Sequence, residues 1–501
     1  MKDILKKVVL YLGIAILAFI AIIVLCAGFL FFYRDGNIFG FKYISKNEII
    51  YAYADGVDKS SIDTIKINGG DFPINISTNG VVEVISGAMR NKVFGYTRTS
   101  YASASFKMSY DAELKMITFD IVEPSGWLAK NNSVIEIVFP ENYVDKEMQL
   151  IISSNKSDIN IGGDKELSIS DLEITSNKGD VKIFNVSLMG DTIINVGSGD
   201  FIIDKTSNGE IDCFISLESG RVGIDNLDGG VTVNNLTILK NKVGEVYCKK
   251  ASKILTTENI DGGGVLRCDE ASFIDFKSKD TDLKIANIVG VDESRIDITG
   301  HGAVDIRKAT CMLTINGNDG DINLGDIYNK VVLANGQGNI TVSGASYLVS
   351  ANTIRGNIKI KFAQSTGDYI EGVSELRCAQ IATRDGNIIV DDLQMCDILI
   401  DGKGSALLNY NKVVGESTIN GGAGSVNIVV PTAPKDDNSN YNVNIILAQN
   451  LNVYLKVGVV YYEGWTESVK EFYNIYGNEG TGNNTINIQS GSGLISVKNA
   501  D

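Results

Sequence analysis

Along the middle of the chain, glycine is followed by alternating apolar residues in the pattern Gly-x-apolar-x-apolar. Apolar residues two apart point to the same face of a strand, so each copy predicts a short strand with one buried face. Copies 18 residues apart start at Gly302, Gly320, Gly338 and Gly356, and again at Gly386 and Gly404. Upstream copies 20 to 24 residues apart start at Gly179, Gly199, Gly220, Gly244 and Gly264, and Gly424 closes the series.

A second short strand begins nine or ten residues into many repeats, as in Cys311-Met-Leu-Thr-Ile and Lys330-Val-Val-Leu. One repeat buries too little apolar surface to be stable, whereas stacked repeats bury a continuous core. The pattern therefore predicts an all-β fold, a β-solenoid of stacked rungs of 18 to 24 residues with β caps. We expect the glycine to supply the positive φ of a sharp turn. A β-sandwich, whose strands need no fixed period, is the alternative.

The regular pattern occupies residues 171–430 and predicts the extent of the solenoid. Residues 62–170 and 431–501 lack the period and predict N-terminal and C-terminal β caps, because open solenoid ends would expose unpaired strand edges. We expect irregular antiparallel strands in the first cap and a hairpin-like pair at 485–497 in the second. Proline cannot donate a ladder hydrogen bond. All five prolines lie outside the solenoid segment: Pro73, Pro124, Pro140, Pro431 and Pro434.

An uncharged stretch, residues 8–33, precedes the β pattern. As a helix it would be about 39 Å long, enough to cross a hydrocarbon core of about 30 Å. Signal-peptide apolar cores reach only about 15 residues, so we predict an uncleaved single-pass transmembrane helix in contact with membrane lipid. Lys2, Lys6 and Lys7 favour a cytoplasmic N-terminus. Residues 1–7 would then be a cytoplasmic tail and 34–61 a tether, with the bulk of the chain extracytoplasmic in the cell envelope.

The charge and the scarcity of histidine bear on function. A net charge of −16 opposes binding to a phosphate backbone, so no nucleic-acid partner is expected. The single histidine, His301, lies beside a glycine and is predicted to be a turn residue, whereas acid–base catalysis and zinc sites most often use histidine. We predict that the protein is not an enzyme and has no catalytic residues, cofactor or metal.

Acidic and amide residues commonly follow the rung glycine, where Asx side chains hydrogen bond to their own backbone in turns. These residues include Asp180, Asp200, Asp321, Asn339 and Asn357. The segment Gly317-Asn-Asp-Gly-Asp resembles a calcium-binding turn, but it occurs once, whereas a calcium ladder needs several stacked copies.

Seven cysteines are spread along the chain without a CxxC pair, so no zinc-ribbon or redox motif is present. Cys248, Cys268 and Cys378 occupy the second apolar position of a rung-like segment, and Cys213, Cys311 and Cys396 fall in second-strand regions. We predict buried core residues, since cysteine behaves as a small apolar side chain. The alternative is a bridge between neighbouring rungs, such as Cys248 to Cys268, in an oxidising compartment.

Aromatic residues are concentrated in the C-terminal cap, after the strands Val443-Asn-Ile-Ile-Leu and Leu451-Asn-Val-Tyr-Leu. The candidate binding residues are Tyr461, Tyr462, Trp465, Phe472, Tyr473 and Tyr476. They either cover the end of the core or form a stacking platform for a glycan or a partner protein.

Residues 60–501 resemble the bacterial putative-adhesin β-solenoid domain of the toastrack type. The features that carry the resemblance are the early strands, the Gly-x-apolar-x-apolar rungs, and the following three segments. They are Val134-Ile-Glu-Ile-Val-Phe-Pro, Leu150-Ile-Ile-Ser-Ser-Asn and Ile486-Asn-Ile-Gln-Ser-Gly-Ser-Gly-Leu-Ile-Ser-Val. The resemblance implies a membrane-anchored or exported β-solenoid and supplies no catalytic residues.

These observations favour a non-enzymatic, membrane-anchored module that binds an envelope or cell-surface protein or glycan, or has a structural role there. Two alternatives stay open from the sequence. One is an accessory of an envelope-stress sensing system, and the other is a polysaccharide-acting β-helix enzyme.

Overall fold

The computed structural model describes most of the chain. The described residues are 2–33, 37–38, 41–53, 61–78, 94–101, 105–122, 134–139, 147–204, 210–224, 232–345, 347–363, 376–431, 441–447, 451–457, 460–466, 470–472 and 484–500. They fall into two units, Met1–Gly209 with Leu227–Gly230, and Glu210–Asn226 with Val231–Asp501. In both units the regular structure after the N-terminal helix is β-strand, as the sequence pattern predicts.

Helix α1, Lys2–Tyr33, contains the span Lys7–Cys26, which is long and apolar enough to cross a membrane. The side chains of this span are exposed, so the protein itself does not cover them. Exposed apolar side chains over this length suit a lipid environment, and both a membrane anchor and a signal sequence have this form.

The first unit contains α1 and the first fifteen strands. Their bounds are β1 Asn37–Ile38, β2 Phe41–Tyr53, β3 Thr64–Gly70, β4 Ile74–Thr78, β5 Phe94–Tyr101, β6 Ser105–Asp111, β7 Met116–Val122, β8 Val134–Phe139, β9 Met148–Ser154, β10 Ile159–Ile161, β11 Leu167–Lys178, β12 Val181–Phe184, β13 Val186–Leu188, β14 Asp191–Ser198 and β15 Asp200–Asp204. Strand β2 lies within residues 34–61 and pairs with β5, so this part of the expected tether has β structure.

Strands β3 and β4 form the first rung of this unit in chain order. Strand β3 pairs in parallel with β7 and β9, and β4 pairs in parallel with β8 and β10. Antiparallel partners lie further out, with β6 on β7, β5 on β8, and β2 on β5. The prediction of irregular antiparallel strands in this region is therefore wrong for the rungs, which are parallel, and is confirmed for the outer strands.

The second unit contains the other twenty-six strands. Their bounds are β16 Glu210–Leu217, β17 Arg221–Ile224, β18 Thr232–Asn241, β19 Glu245–Thr256, β20 Val265–Ser278, β21 Asp282–Ile288, β22 Ser294–Ile298, β23 Val304–Ala309, β24 Leu313–Asn316, β25 Ile322–Ile327, β26 Val331–Asn335, β27 Ile340–Ala345, β28 Val349–Thr353, β29 Ile358–Phe362, β30 Cys378–Thr383, β31 Ile388–Leu393, β32 Met395–Ile400, β33 Ala406–Tyr410, β34 Glu416–Asn420, β35 Val426–Val430, β36 Tyr441–Leu447, β37 Leu451–Val457, β38 Val460–Thr466, β39 Lys470–Phe472, β40 Asn484–Ser490 and β41 Ile495–Asn499.

The predicted rung is present in the second unit. Strands β23, β25, β27 and β29 stack in parallel with Val304, Ile322, Ile340 and Ile358 aligned, so each rung advances the chain by 18 residues. The second strands β24, β26 and β28 stack in parallel in the same way. The 18-residue period and the second short strand are both confirmed, and in-register parallel stacking identifies a β-solenoid rather than the antiparallel β-sandwich.

The core consists of the alternate residues that each strand turns inward. In β29 the three apolar side chains are fully buried and the two lysines are exposed. Ile360 lies between Val342 and Val390 of the adjoining rungs. Full burial of a side chain of this size contributes about 1.5–3 kcal/mol. Columns of such residues therefore supply the stability that no single rung possesses.

The rung glycines are needed for two different reasons. Gly179, Gly199 and Gly220 have the predicted positive φ, at 112°, 123° and 101°. In the 18-residue rungs that prediction is wrong, because glycines such as Gly338 lie outside the positive-φ region. There the reason is close approach, since a Cβ on Gly338 would lie 2.1 Å from the carbonyl oxygen of Gly320. The same contact recurs up the stack, so the glycines form a column of closely packed backbone.

The C-terminal strands do not form the predicted hairpin-like pair. Strand β40 pairs in parallel with β34 and β36, and β41 pairs in parallel with β35 and β37. The last rung of the chain thus lies between the rung β34–β35 and the rung β36–β37. Strand β38 pairs antiparallel with β37, and β39 pairs antiparallel with β36. These two antiparallel strands cover the edges of the outermost rung.

Candidate binding surface on the C-terminal strands

Four of the six predicted aromatic residues lie on the two antiparallel strands that cover the outermost described C-terminal rung. Tyr461, Tyr462 and Trp465 are on β38, and Phe472 is on β39. Tyr473 and Tyr476 lie outside the described residues. Strand β38 pairs with β37, whereas β39 pairs with β36. The described members of the group therefore belong to two different strand pairs.

Tyr461 is exposed, with 62% of its surface accessible. Its ring stands edge-on to the ring of Tyr454, with centroids 6.3 Å apart and planes at 90°. Its hydroxyl hydrogen bonds to the carboxylate of Glu463, and this bond raises the pKa of Tyr461 above its ordinary value. Lys456 lies directly opposite Tyr461 in the strand register. The surface therefore combines an exposed aromatic ring, a phenol, a carboxylate and an ammonium group.

Tyr462 has a different environment from Tyr461. Consecutive residues of a strand point to opposite faces, and Tyr462 lies opposite Leu455, which is fully buried. Tyr462 is half-buried and belongs to the side that faces the core. Trp465 pairs with Asn452, and Phe472 pairs with Val443 on the other strand pair. Of the six predicted residues, Tyr461 is thus the one whose described side chain is available to a ligand.

Sequence reasoning missed the partners of Tyr461. Tyr454 and Lys456 come from the predicted strand Leu451-Asn-Val-Tyr-Leu, whose alternation already marks them as outward-facing. The antiparallel return of β38 onto this strand could not be predicted, because the residue pattern of β38 is compatible with either direction. Only the register Lys456 to Tyr461 brings the two tyrosines together.

The acidic and amide residues after the rung glycines hold adjoining rungs together. The N–H of Asn339 donates to Asp321 Oδ1 at 2.8 Å, and the N–H of Asn357 donates to Asn339 Oδ1 at 3.0 Å. The same arrangement links Asp200 to Asp180 in the first unit, at 2.9 Å. The prediction that these side chains cap their own backbone is wrong for the four residues that accept a hydrogen bond from the next rung, which are Asp180, Asp321, Asn339 and Asn357.

In several rungs a polar residue lies at the end of the second strand, three positions before the glycine that begins the next rung. The N–H of Gly356 donates to Thr353 Oγ1, and that of Gly386 donates to Thr383 Oγ1, both at 3.1 Å. Asn241 accepts from Gly244 in the same way, at 3.1 Å. Sequence reasoning missed these residues, although a polar side chain recurs three positions before several rung glycines, as at Asn241, Thr353 and Thr383.

The single histidine pairs with an acidic residue. His301 lies at an exposed turn, with Nδ1 3.2 Å from Asp319 Oδ2. Asp319 belongs to the segment that resembles a calcium-binding turn. Among the described residues, no group of three or more His, Cys, Asp or Glu side chains is placed to hold a metal ion.

The six cysteines beyond α1 are buried thiols, whereas Cys26 is exposed on the helix. Burial raises the pKa of Cys378 to about 11 and that of Cys396 to about 12. Since the thiolate is the reactive form, these residues behave as core side chains. Cys378 begins β30, which stacks on second strands, so its predicted place in the first strand of a rung is wrong.

Comparison with known proteins agrees with this architecture. The family model described as Toastrack DUF4097 matches residues 110–371, which is 262 of the 501 residues. Among solved structures, the chain is similar to the crystal structure of a putative cell adhesion protein from Clostridium sporogenes. The identity is 11% and the TM-score 0.15, and the match covers 91% of this chain and 100% of that chain. No curated protein matches the chain. From the family match over more than half of its length, the chain belongs to the Toastrack DUF4097 family.

Proposed function

We propose that the protein is a non-enzymatic binding module, anchored in the membrane by α1 and extracytoplasmic over the rest of its length. Its ligand would be a glycan or a protein of the envelope or of another cell surface. The observation that carries the proposal is the exposed ring of Tyr461 on a terminal antiparallel strand, beside Tyr454, Glu463 and Lys456.

The chemistry of this surface supports ligand binding. An exposed aromatic ring offers apolar area at a low cost in conformational entropy, and its hydroxyl offers a polar contact. The carboxylate of Glu463 and the ammonium of Lys456 supply an acceptor and donors for hydroxyl or amide groups. A sugar ring, with one apolar face and hydroxyls at its edge, fits this combination, and so does a polar protein loop.

The rung chemistry supports a non-enzymatic role. The Asx side chains at the turns are used for bonds between rungs, and burial raises the pKa of Cys378 and Cys396, which keeps these two thiols protonated. Incubating the purified protein with a panel of envelope polysaccharides tests this part of the proposal. Release of new reducing ends or shortened chains would contradict a purely binding function.

Binding is tested with the full-length protein in detergent, against envelope polysaccharides, peptidoglycan fragments and envelope protein fractions. For the ligand that binds, Tyr461→Ala should weaken the affinity about tenfold, as expected for an aromatic residue at the centre of an interface. Tyr247→Ala is the matched control, because Tyr247 lies on a rung strand and its hydroxyl hydrogen bonds to Asp269 at 2.9 Å. Equal affinities for Tyr461→Ala and the parent protein would show that this surface is not the binding site.

The location is tested separately in cells. If α1 is an uncleaved anchor, the membrane-bound protein should keep Met1 or the residues just after it, and external protease should degrade residues 34–501 in spheroplasts. A mature N-terminus beyond Tyr33 would identify a signal sequence instead, and protection from protease would contradict the extracytoplasmic location.

A further inference from the structure

Two buried cysteines lie next to each other on adjoining rungs. Strands β19 and β20 pair in parallel from Glu245 to Leu255, and within this register Cys248 is aligned with Cys268. Both side chains are turned into the core, with 0% and 2% of their surfaces exposed. Both are thiols in this structure. The pair is thus isolated from solvent, and within the β19–β20 pairing each cysteine is aligned with the other.

The spacing of parallel strands suits a covalent link at this position. Neighbouring strands lie about 4.8 Å apart, and the Cα atoms of disulfide-linked residues are usually about 4.4–6.8 Å apart. The Cβ atoms of a disulfide are about 3.5–4.5 Å apart, so closure requires the two aligned side chains, about one strand spacing apart, to approach by about 0.3–1.3 Å. The Cys248 thiol donates to the carbonyl oxygen of Lys250 at 3.3 Å and the Cys268 thiol to that of Glu270 at 3.1 Å. The interaction with Cys268, together with burial, raises the pKa of Cys248.

Polar pairs on the outer side hold the same two strands in register. Lys250 Nζ lies 2.8 Å from Glu270 Oε1, directly after the two cysteines in the register. Tyr247 and Arg267, the residues just before the cysteines, each bond to an acidic residue of the other strand, Asp269 at 2.9 Å and Glu245 at 3.3 Å. A one-residue slip would break these contacts, so the alignment of the cysteines is fixed from outside as well as inside.

We propose that Cys248 and Cys268 form a disulfide that links adjoining rungs when the chain folds in an oxidising compartment. The two S–H bonds break and one S–S bond forms. Two electrons and two protons pass to an oxidising disulfide, such as that of a thiol–disulfide exchange protein, which becomes a dithiol. The reaction proceeds through a mixed disulfide before the rungs close, because the folded thiols are out of reach. In the cell this step rests on the proposed extracytoplasmic location.

The other cysteines are less suited to pairing. Cys396 is aligned with Ala379 rather than with Cys378, and its thiol lies 3.0 Å from the Tyr410 hydroxyl. The Cys311 thiol contacts the Ser294 hydroxyl at 3.6 Å. Cys213 is electrostatically close to Cys248 but lies on β16, which is paired with β18 and not with β19. Only Cys248 and Cys268, among the described cysteines, are aligned on paired strands.

The experiment uses the full-length protein, reduced and unfolded, then refolded in detergent with a mixture of oxidised and reduced glutathione. Free thiols are alkylated and the protein is digested with trypsin, which separates the two cysteines into peptides 243–249 and 268–277. We expect a linked pair of these peptides, two hydrogen atoms lighter than their sum, and five alkylated cysteines out of seven. The refolded β content is checked by circular dichroism.

Variants make the assignment specific. Cys248→Ser and Cys268→Ser should each abolish the linked peptides, whereas Cys311→Ser, a buried cysteine without an aligned partner, should retain them. Seven alkylated cysteines after refolding with native β content, or a link that joins a different pair such as Cys213 to Cys248, would overturn the proposal.

The same peptide analysis on protein from cells treated with a membrane-permeable alkylating agent separates this inference from the proposed function. The linked peptides in cells support both. A link that forms in refolding but is absent in cells supports the pairing and contradicts the extracytoplasmic location.

Discussion

The rungs from Val304 to Phe362 and the terminal strand β37 share an alternation of buried and more exposed residues, and β38 lies antiparallel beside β37. They differ in what lies beside each strand. Strand β27 pairs in parallel with β25 on one edge and with β29 on the other. Within the described residues, β38 pairs with β37 alone, and in the antiparallel direction. A side chain on a middle rung therefore has strand neighbours on two sides, and a side chain on β38 has them on one.

This difference determines which residues are free to change. In the middle rungs the glycines, the Asx residues and the threonines before the glycines all contact the next rung, so a substitution there disturbs two interfaces. On β38, the outward ring of Tyr461 contacts only Tyr454 and Glu463 among the described contacts. We infer that the middle rungs maintain the fold, while the terminal strand carries side chains that can be selected for recognition.

The largest effect is expected from Ile360→Ala in the middle of the stack. The side chain is fully buried between Val342 and Val390, so its removal leaves a cavity that the fixed rung spacing cannot close. The free energy of unfolding should fall by about 2–5 kcal/mol, measured by urea denaturation. The exposed neighbour Lys361→Ala should change it by less than about 0.5 kcal/mol. Similar losses for the two variants would show that the rungs are not closely packed.

Gly338→Ala should be the next most damaging change. The added methyl would lie 2.1 Å from the carbonyl oxygen of Gly320 and 2.8 Å from Asn335 Nδ2, and backbone cannot rotate away as a side chain can. Overpacking of this kind costs about 3 kcal/mol. Gly263→Ala is the control, because its added methyl would have no heavy atom closer than 4.0 Å. An unchanged melting temperature for Gly338→Ala would contradict the close approach of the rung backbones.

The glycine column also shows how far sequence reasoning reached. The spacing of Gly320, Gly338 and Gly356 predicted the 18-residue rung because a fixed period leaves one register for stacking. It could not reveal why glycine is required, since positive φ and close backbone approach select the same residue. Gly199 has a positive φ and also a close approach, since a Cβ there would lie 2.2 Å from the carbonyl oxygen of Gly179, whereas Gly338 has the close approach alone.

The ends were less predictable than the middle. Strands β40 and β41 have the same residue pattern as an ordinary rung. They nevertheless stack between strands that precede them by different distances along the chain, and β40, for instance, lies between β34 and β36. Ile488, for example, is aligned with both Ile419 and Ile445. The alternation of apolar and polar residues determines which face of such a strand is buried. It does not determine which of several equally apolar strands becomes its neighbour.

Thr353→Val tests the polar residues that precede the rung glycines. The Thr353 hydroxyl is 1% exposed, accepts from the Gly356 N–H at 3.1 Å and donates to the Gly336 carbonyl at 3.3 Å. Valine has nearly the same shape but leaves these buried groups unpaired, which should cost about 1–2 kcal/mol. Thr353→Ser keeps the hydroxyl and should cost less. If serine destabilises the protein more than valine does, the methyl group rather than the hydrogen bonds is what stabilises the turn.

The smallest effect on folding is expected from Tyr461→Ala. The side chain is 62% exposed and its described contacts are confined to Tyr454 and Glu463, so the free energy of unfolding should change by about 0.5 kcal/mol or less. Leu455→Ala, on the buried side of the paired strand, should cost about 2–5 kcal/mol. A loss of comparable size for both variants would mean that Tyr461 covers the core. A negligible loss for Tyr461→Ala, together with weakened ligand binding, would show that recognition at this end is separable from the stability of the rungs beneath it.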